Sequence, residues 1–135
     1  MKNKLLFTAA MLLLVLSACT KKKNPSPGGK TEDPIPQIVI KQPSGDHYEA
    51  GDTVGINVVV TDSKEMHEAL YWIIAKPQQD TLWKEKKHVH GAKTIVLDTY
   101  FVPPVLQSHQ QLELVVQAEN SEGKTAEARH LFEIH

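Results

Sequence analysis

The chain predicts an all-β fold in which two sheets of antiparallel strands pack face to face. Three observations carry this. From Ile35 onward, apolar residues recur at every second position over short runs, as in strands with one buried face. Clusters of Pro, Gly, Asn, Asp and Ser separate those runs at short intervals. After the first 18 residues no segment sustains helical periodicity. About seven strands at this spacing make an immunoglobulin-like sandwich. The sequence holds one Cys, so the cysteine pair of antibody domains is missing and the likeness is architectural. A small β-barrel is the competing architecture.

Taken in order, the first strand spans Ile35 to Lys41, opened by Pro34 and Pro36 and closed by Pro43-Ser44-Gly45. Proline removes a ladder donor, which places this strand at an edge. Tyr48 to Asp52 reads as a turn. Thr53 to Thr61 follows, with Val54, Ile56, Val58 and Val60 inward, and Asp62 to Glu65 ends it. Two segments around Lys76 to Thr81 form a hairpin. Ala92 to Val102 is the fifth strand, stopped by Pro103-Pro104. Gln111 to Ala118 and Thr125 to Ile134 flank a turn at Asn120-Ser121-Glu122-Gly123. In the sandwich the third, fourth, sixth and seventh strands share a sheet.

The amino terminus is a targeting segment. Lys2 and Lys4 precede an apolar run from Leu5 to Leu16 that is short for a membrane span. Leu16-Ser17-Ala18-Cys19 then resembles the bacterial lipobox. That resemblance implies a signal peptide over residues 1–18, cleavage before Cys19, and a lipid on the Cys19 thiol. Residues 19–34 read as a flexible linker, because Lys21-Lys22-Lys23 and the Pro/Gly run after it cannot bury enough apolar area to order. Residues 35–135 form the sandwich domain. Thr20 follows the acylated position, where an inner-membrane retention signal would place Asp. The expectation is therefore an outer-membrane lipoprotein, on its periplasmic or its surface face.

Composition narrows the function classes. The chain carries 15 basic and 16 acidic residues, and removing the signal peptide with Lys2 and Lys4 makes the remainder more acidic. That balance argues against a nucleic-acid partner. Enzyme chemistry finds little support: Ser63 and Ser108 have no nucleophile context, and no carboxylate pair stands out. With Cys19 assigned to lipid, a blue-copper ligand set lacks its thiolate. The reading is of a non-enzyme.

The residues that suggest chemistry are Met66-His67-Glu68 and His88-Val89-His90-Gly91. Side chains two apart on a strand share a face, roughly 6.5–7 Å apart, so His88 and His90 can converge on one ion. A hairpin centred between Gln78 and Gln79 sets His67 opposite His90 and Ile74 opposite Trp83. Leu70, Trp72, Ile74, Trp83 and Val89 then share the buried face. His67, His88 and His90 share the exposed one with Tyr71, Ile73, Lys84 and Lys86. Those lysines disfavour a cation, and a bulge would change the register. Glu119, at the end of the sixth strand, falls near His67 as an oxygen ligand or a partner to its ring. Imidazoles suit Zn²⁺, Cu²⁺ or Ni²⁺.

Tyr48-Glu49-Ala50-Gly51-Asp52, the two histidine motifs and the Ala118-to-Gly123 turn together resemble an uncharacterised family of Bacteroidota lipoproteins with one Ig-like domain. The resemblance covers nearly all of residues 35–135. It implies the fold, the anchor and the histidine constellation. Relatives of that pattern carry Asp-His in the last turn, where this chain has Asn120-Ser121. Asp80-Thr81-Leu82 resembles the short O-glycosylation signal of Bacteroidota envelope proteins. Two functional readings stand: a metal-binding lipoprotein using His67, His88, His90 and Glu119, or a structural and adhesive module that offers a β-face, with Tyr71 and Ile73 on it, to protein or glycan.

Overall fold

The computed structural model describes residues 33–104 and 109–135. The predicted signal peptide, Cys19 and most of the predicted linker lie outside the described residues. The rest is all-β, with eight strands: β1 Gln37–Gln42, β2 His47–Tyr48, β3 Val54–Thr61, β4 Met66–Ala75, β5 Asp80–His88, β6 Thr94–Phe101, β7 Gln110–Asn120 and β8 Thr125–Ile134. Two sheets form a sandwich. One has the order β1-β3-β6 and the other β2-β8-β7-β4-β5. The predicted third, fourth, sixth and seventh strands, now β4, β5, β7 and β8, do share a sheet. The eighth strand is the short β2, which lies where a turn was expected and pairs in parallel with β8, while every other pairing is antiparallel.

The core lies between the sheets. Val54, Ile56, Val58 and Val60 of β3 enter it at strict alternation, with Ile95, Leu97 and Phe101 of β6 beside them. Leu112, Leu114, Val116 and Ala118 of β7 and Phe132 and Ile134 of β8 meet them from the other sheet. Each of the larger side chains among them contributes about 1.5–3 kcal/mol by leaving water, which is how the described domain holds without a disulfide.

β4 is turned over relative to the sequence expectation. Ala69, Tyr71 and Ile73 point into the core and are fully buried, whereas Leu70 and Trp72 face outward and are only partly covered. Ile74 is buried, but beneath the outer surface, next to Glu113. The outer face is apolar too because long side chains shelter it. Trp72 has Lys84 and Val115 as cross-strand neighbours, and Val115 has Arg129. Tyr71 and Ile73 therefore offer no exposed patch. Trp83, Leu82 and Val89 pack against the core margin, as expected of Trp83 and Val89.

Two bulges set the register of β4 against its two neighbours. The hairpin loop closes at Ala75–Asp80, and Leu82 is then left as an extra residue between the Ile74–Thr81 and Ile73–Trp83 pairs. The resulting register sets Glu68 opposite His88, one residue from the expected alignment. A second bulge lies in the β4–β7 pairing: Met66 faces Asn120 and Glu68 faces Glu119, so His67 is the extra residue.

Candidate metal centre

The one-residue change of register moves His88 and His90 to the face of Glu68, Leu70 and Trp72, still the outer face of the five-stranded sheet. By simple alternation it would also have sent His67 inward. The bulge at His67 prevents this, because two residues of β4 oppose the single Glu119 and both project outward. His67 thus reaches His88 at the end of β5. Its ring lies 4.6 Å from that of His88, centroid to centroid, and His88 lies 4.6 Å from His90.

His88 stands between its two neighbours and presents a different nitrogen to each side. Its Nε2 is 3.2 Å from His90 Nε2, and its Nδ1 is 3.8 Å from Glu68 Oε2. An imidazole gives an ion one nitrogen, so in this conformation His88 serves either the His90 side or the Glu68 side. On the Glu68 side, His67, Glu68 and His88 each offer a ligand atom, all within 4.8 Å of one another, and this group could hold a metal ion. His67 Nδ1 lies 3.5 Å from Glu119 Oε1. A carboxylate on one ring nitrogen orients the other toward a metal, so Glu119 fits as a partner to His67.

The electrostatics are mixed. Lys86 Nζ lies 2.7 Å from Glu68 Oε2, and that hydrogen bond outweighs partial burial to hold the Glu68 carboxyl below its ordinary value. Glu68 is therefore an ionised ligand. The Lys86 side chain is 54% exposed and that of Glu68 19%, so the pair is only partly screened by solvent, and an ion taking this Glu68 oxygen would have to displace the Lys86 ammonium. A groove of about 170 Å³ lined by Glu68, Leu70, Gln117, Glu119 and Thr125 adjoins the cluster.

The structure thus brings together all four residues singled out from the sequence, as a row of three imidazoles with Glu119 at one end. It adds Glu68, which strict alternation had placed on the opposite face from His67. The only signal for it was its adjacency to His67.

Asn120 beside the cluster has a structural task. Its side chain is fully buried, donates from Nδ2 to Asp62 Oδ2 at 3.0 Å and to the Pro34 carbonyl at 3.3 Å, and accepts at Oδ1 from the Glu122 and Lys124 N–H groups. It ties the β7–β8 turn to the end of β3 beneath the histidine row.

No family model matches the chain, and no curated protein matches it. Among solved structures it is similar to Spo0M, a sporulation control protein from Bacillus subtilis, at 10% identity and a TM-score of 0.42. The match covers 76% of this chain and 49% of that one.

Proposed function

We propose that this chain is a cell-envelope lipoprotein, anchored to the outer membrane through Cys19, whose sandwich domain binds one divalent transition-metal ion at the β4–β5–β7 end of the five-stranded sheet. His67, Glu68 and His88 are the ligands, Glu119 orients His67, and His90 stands ready to replace Glu68 through the other nitrogen of His88. The observation that carries the reading is the mutual approach of two imidazoles and an ionised carboxylate within 4.8 Å on two paired strands. Mixed nitrogen and oxygen donors suit Zn²⁺, Cu²⁺ or Ni²⁺. Three protein ligands leave room for water or a partner's side chain, as in sites that pass on or sense metal.

The test is calorimetric titration of Zn²⁺ and Cu²⁺ into the purified full chain and into a His67→Ala/His88→Ala variant. The wild type takes up an ion with affinity well below millimolar that the variant does not. Identical uptake and affinity in both proteins would contradict the site.

A second reading keeps the anchor and the fold but assigns the domain to contact with protein or glycan. It is favoured by a row on the three-stranded sheet, where Val39 and Val96 flank Val59 and are more than half exposed, with Tyr100 66% exposed on the same sheet.

A further inference from the structure

The seven histidines are not scattered. His67, His88 and His90 form the row already described, and His130 sits alone on the core side of β8, facing Leu114. The remaining three, His47, His109 and His135, gather at the opposite end of the same sheet. There β2 runs beside the end of β8, with His47 directly opposite Glu133. His135 follows two residues after Glu133, on the same face.

The three side chains form a tight triangle. His47 Nδ1 is 2.9 Å from His135 Nε2, and Glu133 Oε2 lies 3.6 Å from the first and 3.7 Å from the second. Ligand atoms about 2.0–2.1 Å from a tetrahedral ion stand about 3.3–3.4 Å from one another. The three edges straddle that value, so an ion fits with small rotations of exposed side chains. The backbone beneath is fixed. The Glu133 N–H donates to the Asp46 carbonyl at 2.7 Å, the His135 N–H to the Tyr48 carbonyl at 2.9 Å, and the His135 carbonyl accepts from Ala50 N–H at 2.8 Å. His109 packs edge-on against His135, with ring centroids 4.4 Å apart. No ammonium competes for Glu133 among the described ion pairs; both of its close partners are these two histidines.

We infer that His47, Glu133 and His135 form a second binding site for a divalent transition-metal ion, independent of the His67 site and at the other end of the five-stranded sheet, with His109 in reach as a fourth ligand. The outer face of this sheet then carries two ions at its opposite ends, each held where a strand ends. The donor set of this second site is the better preorganised, because each imidazole offers a single nitrogen toward one common point.

The experiment is zinc stoichiometry by calorimetry on the purified full chain in four forms: wild type, His47→Ala/His135→Ala, His67→Ala/His88→Ala, and the combined variant. Side chains at 47 and 135 are exposed and the bonds that hold this corner are backbone ones, so truncation leaves the fold intact. Unfolding midpoints without zinc check this. The expected counts are two ions for wild type, one for each double variant and none for the combination. Loss of an ion on His47→Ala/His135→Ala supports this site even if His67→Ala/His88→Ala changes nothing, in which case the first site alone fails. Unchanged zinc uptake in His47→Ala/His135→Ala overturns this site and leaves the first standing. Glu133→Gln keeps the shape of the corner and removes the charge; it is expected to weaken one of the two binding events at least tenfold, and an unchanged affinity would remove Glu133 from the ligand set.

Discussion

His67 and Glu68 are consecutive in a strand, yet their side chains stand on the same face because a single residue, Glu119, opposes them both. This bulge is what makes a cluster out of two distant motifs. Without it, alternation would leave either His67 or Glu68 in the sandwich interior, and His88 would have one neighbour fewer.

The first expectation concerns which aromatic side chain fills the core. Tyr71 is fully buried and Trp72 only partly. Tyr71→Ala should cost about 3–5 kcal/mol, as large core truncations do. Trp72→Ala should cost about 1–2 kcal/mol, in proportion to its smaller loss of covered area. Denaturant unfolding of both variants measures this, and the reverse ranking would restore the face assignment that the sequence suggests.

The reason the sequence suggests that assignment is physical. β4 runs between β5 and β7 and carries apolar residues on both faces: Ala69, Tyr71 and Ile73 on one, Leu70, Trp72 and Ile74 on the other. Period-two alternation says which residues share a face, and the larger set looks like the inner one. Here the larger set is sheltered by lysine and arginine stems. β3 gave less ambiguity, because Gly55 and Asn57 stand between its first inward residues, and in β7 Glu113 and Gln117 flank the inward Leu114 and Val116. The approach of His67 to His88 was legible from the hairpin, but by a route that differs from the real one. The expected register was off by one residue and the bulge at His67 offset it. Bulges at Leu82 and His67 leave no mark in composition, and Glu68 was hidden by the second. The corner of His47 and His135 depends on a two-residue parallel strand, and no local pattern announces it.

A second expectation follows from the Tyr71 hydroxyl, which is buried and finds no hydrogen-bond partner among the described residues. Burial, and then the nearby charge of Glu85, push its pKa from 10.0 up to about 12. Because the folded value is the higher one, this contribution to stability is intact below pH 10.0 and is lost as pH rises toward 12. Tyr71→Phe removes the orphaned group and should raise stability by about 1 kcal/mol. It should also flatten the alkaline fall in unfolding midpoint. A destabilised Tyr71→Phe protein would mean that the hydroxyl does have a partner.

Acid should destabilise the domain through three carboxylates. Burial works to raise Asp62 and Glu113, but hydrogen bonds prevail and hold both below their ordinary values. Asp62 is bonded by the Lys64 N–H and by Asn120, and Glu113 by Lys76 at 2.8 Å and Arg129 at 3.0 Å. Glu68 is lowered by Lys86. With folded values depressed, their stabilisation is present above 3.8 for Asp62 and above 4.5 for the glutamates, and fades as pH falls through the lower folded values. Thermal unfolding of Asp62→Asn/Glu113→Gln should show a shallower acid limb than wild type, and parallel limbs would contradict the assignment.

The anchor makes its own expectation. Cys19→Ser removes the thiol proposed to carry the lipid, and the protein should then leave the membrane fraction or stop at the uncleaved precursor. Fractionation with immunoblotting reads both. A variant processed and membrane-bound like wild type would reject the lipobox reading.

The proposed metal centre is tested most directly by anomalous diffraction at the zinc edge from crystals of the full chain grown with Zn²⁺. The account predicts an anomalous peak about 2.0–2.2 Å from one ring nitrogen each of His67 and His88 and from a Glu68 carboxylate oxygen. A zinc-containing crystal with no peak between these three side chains would contradict it.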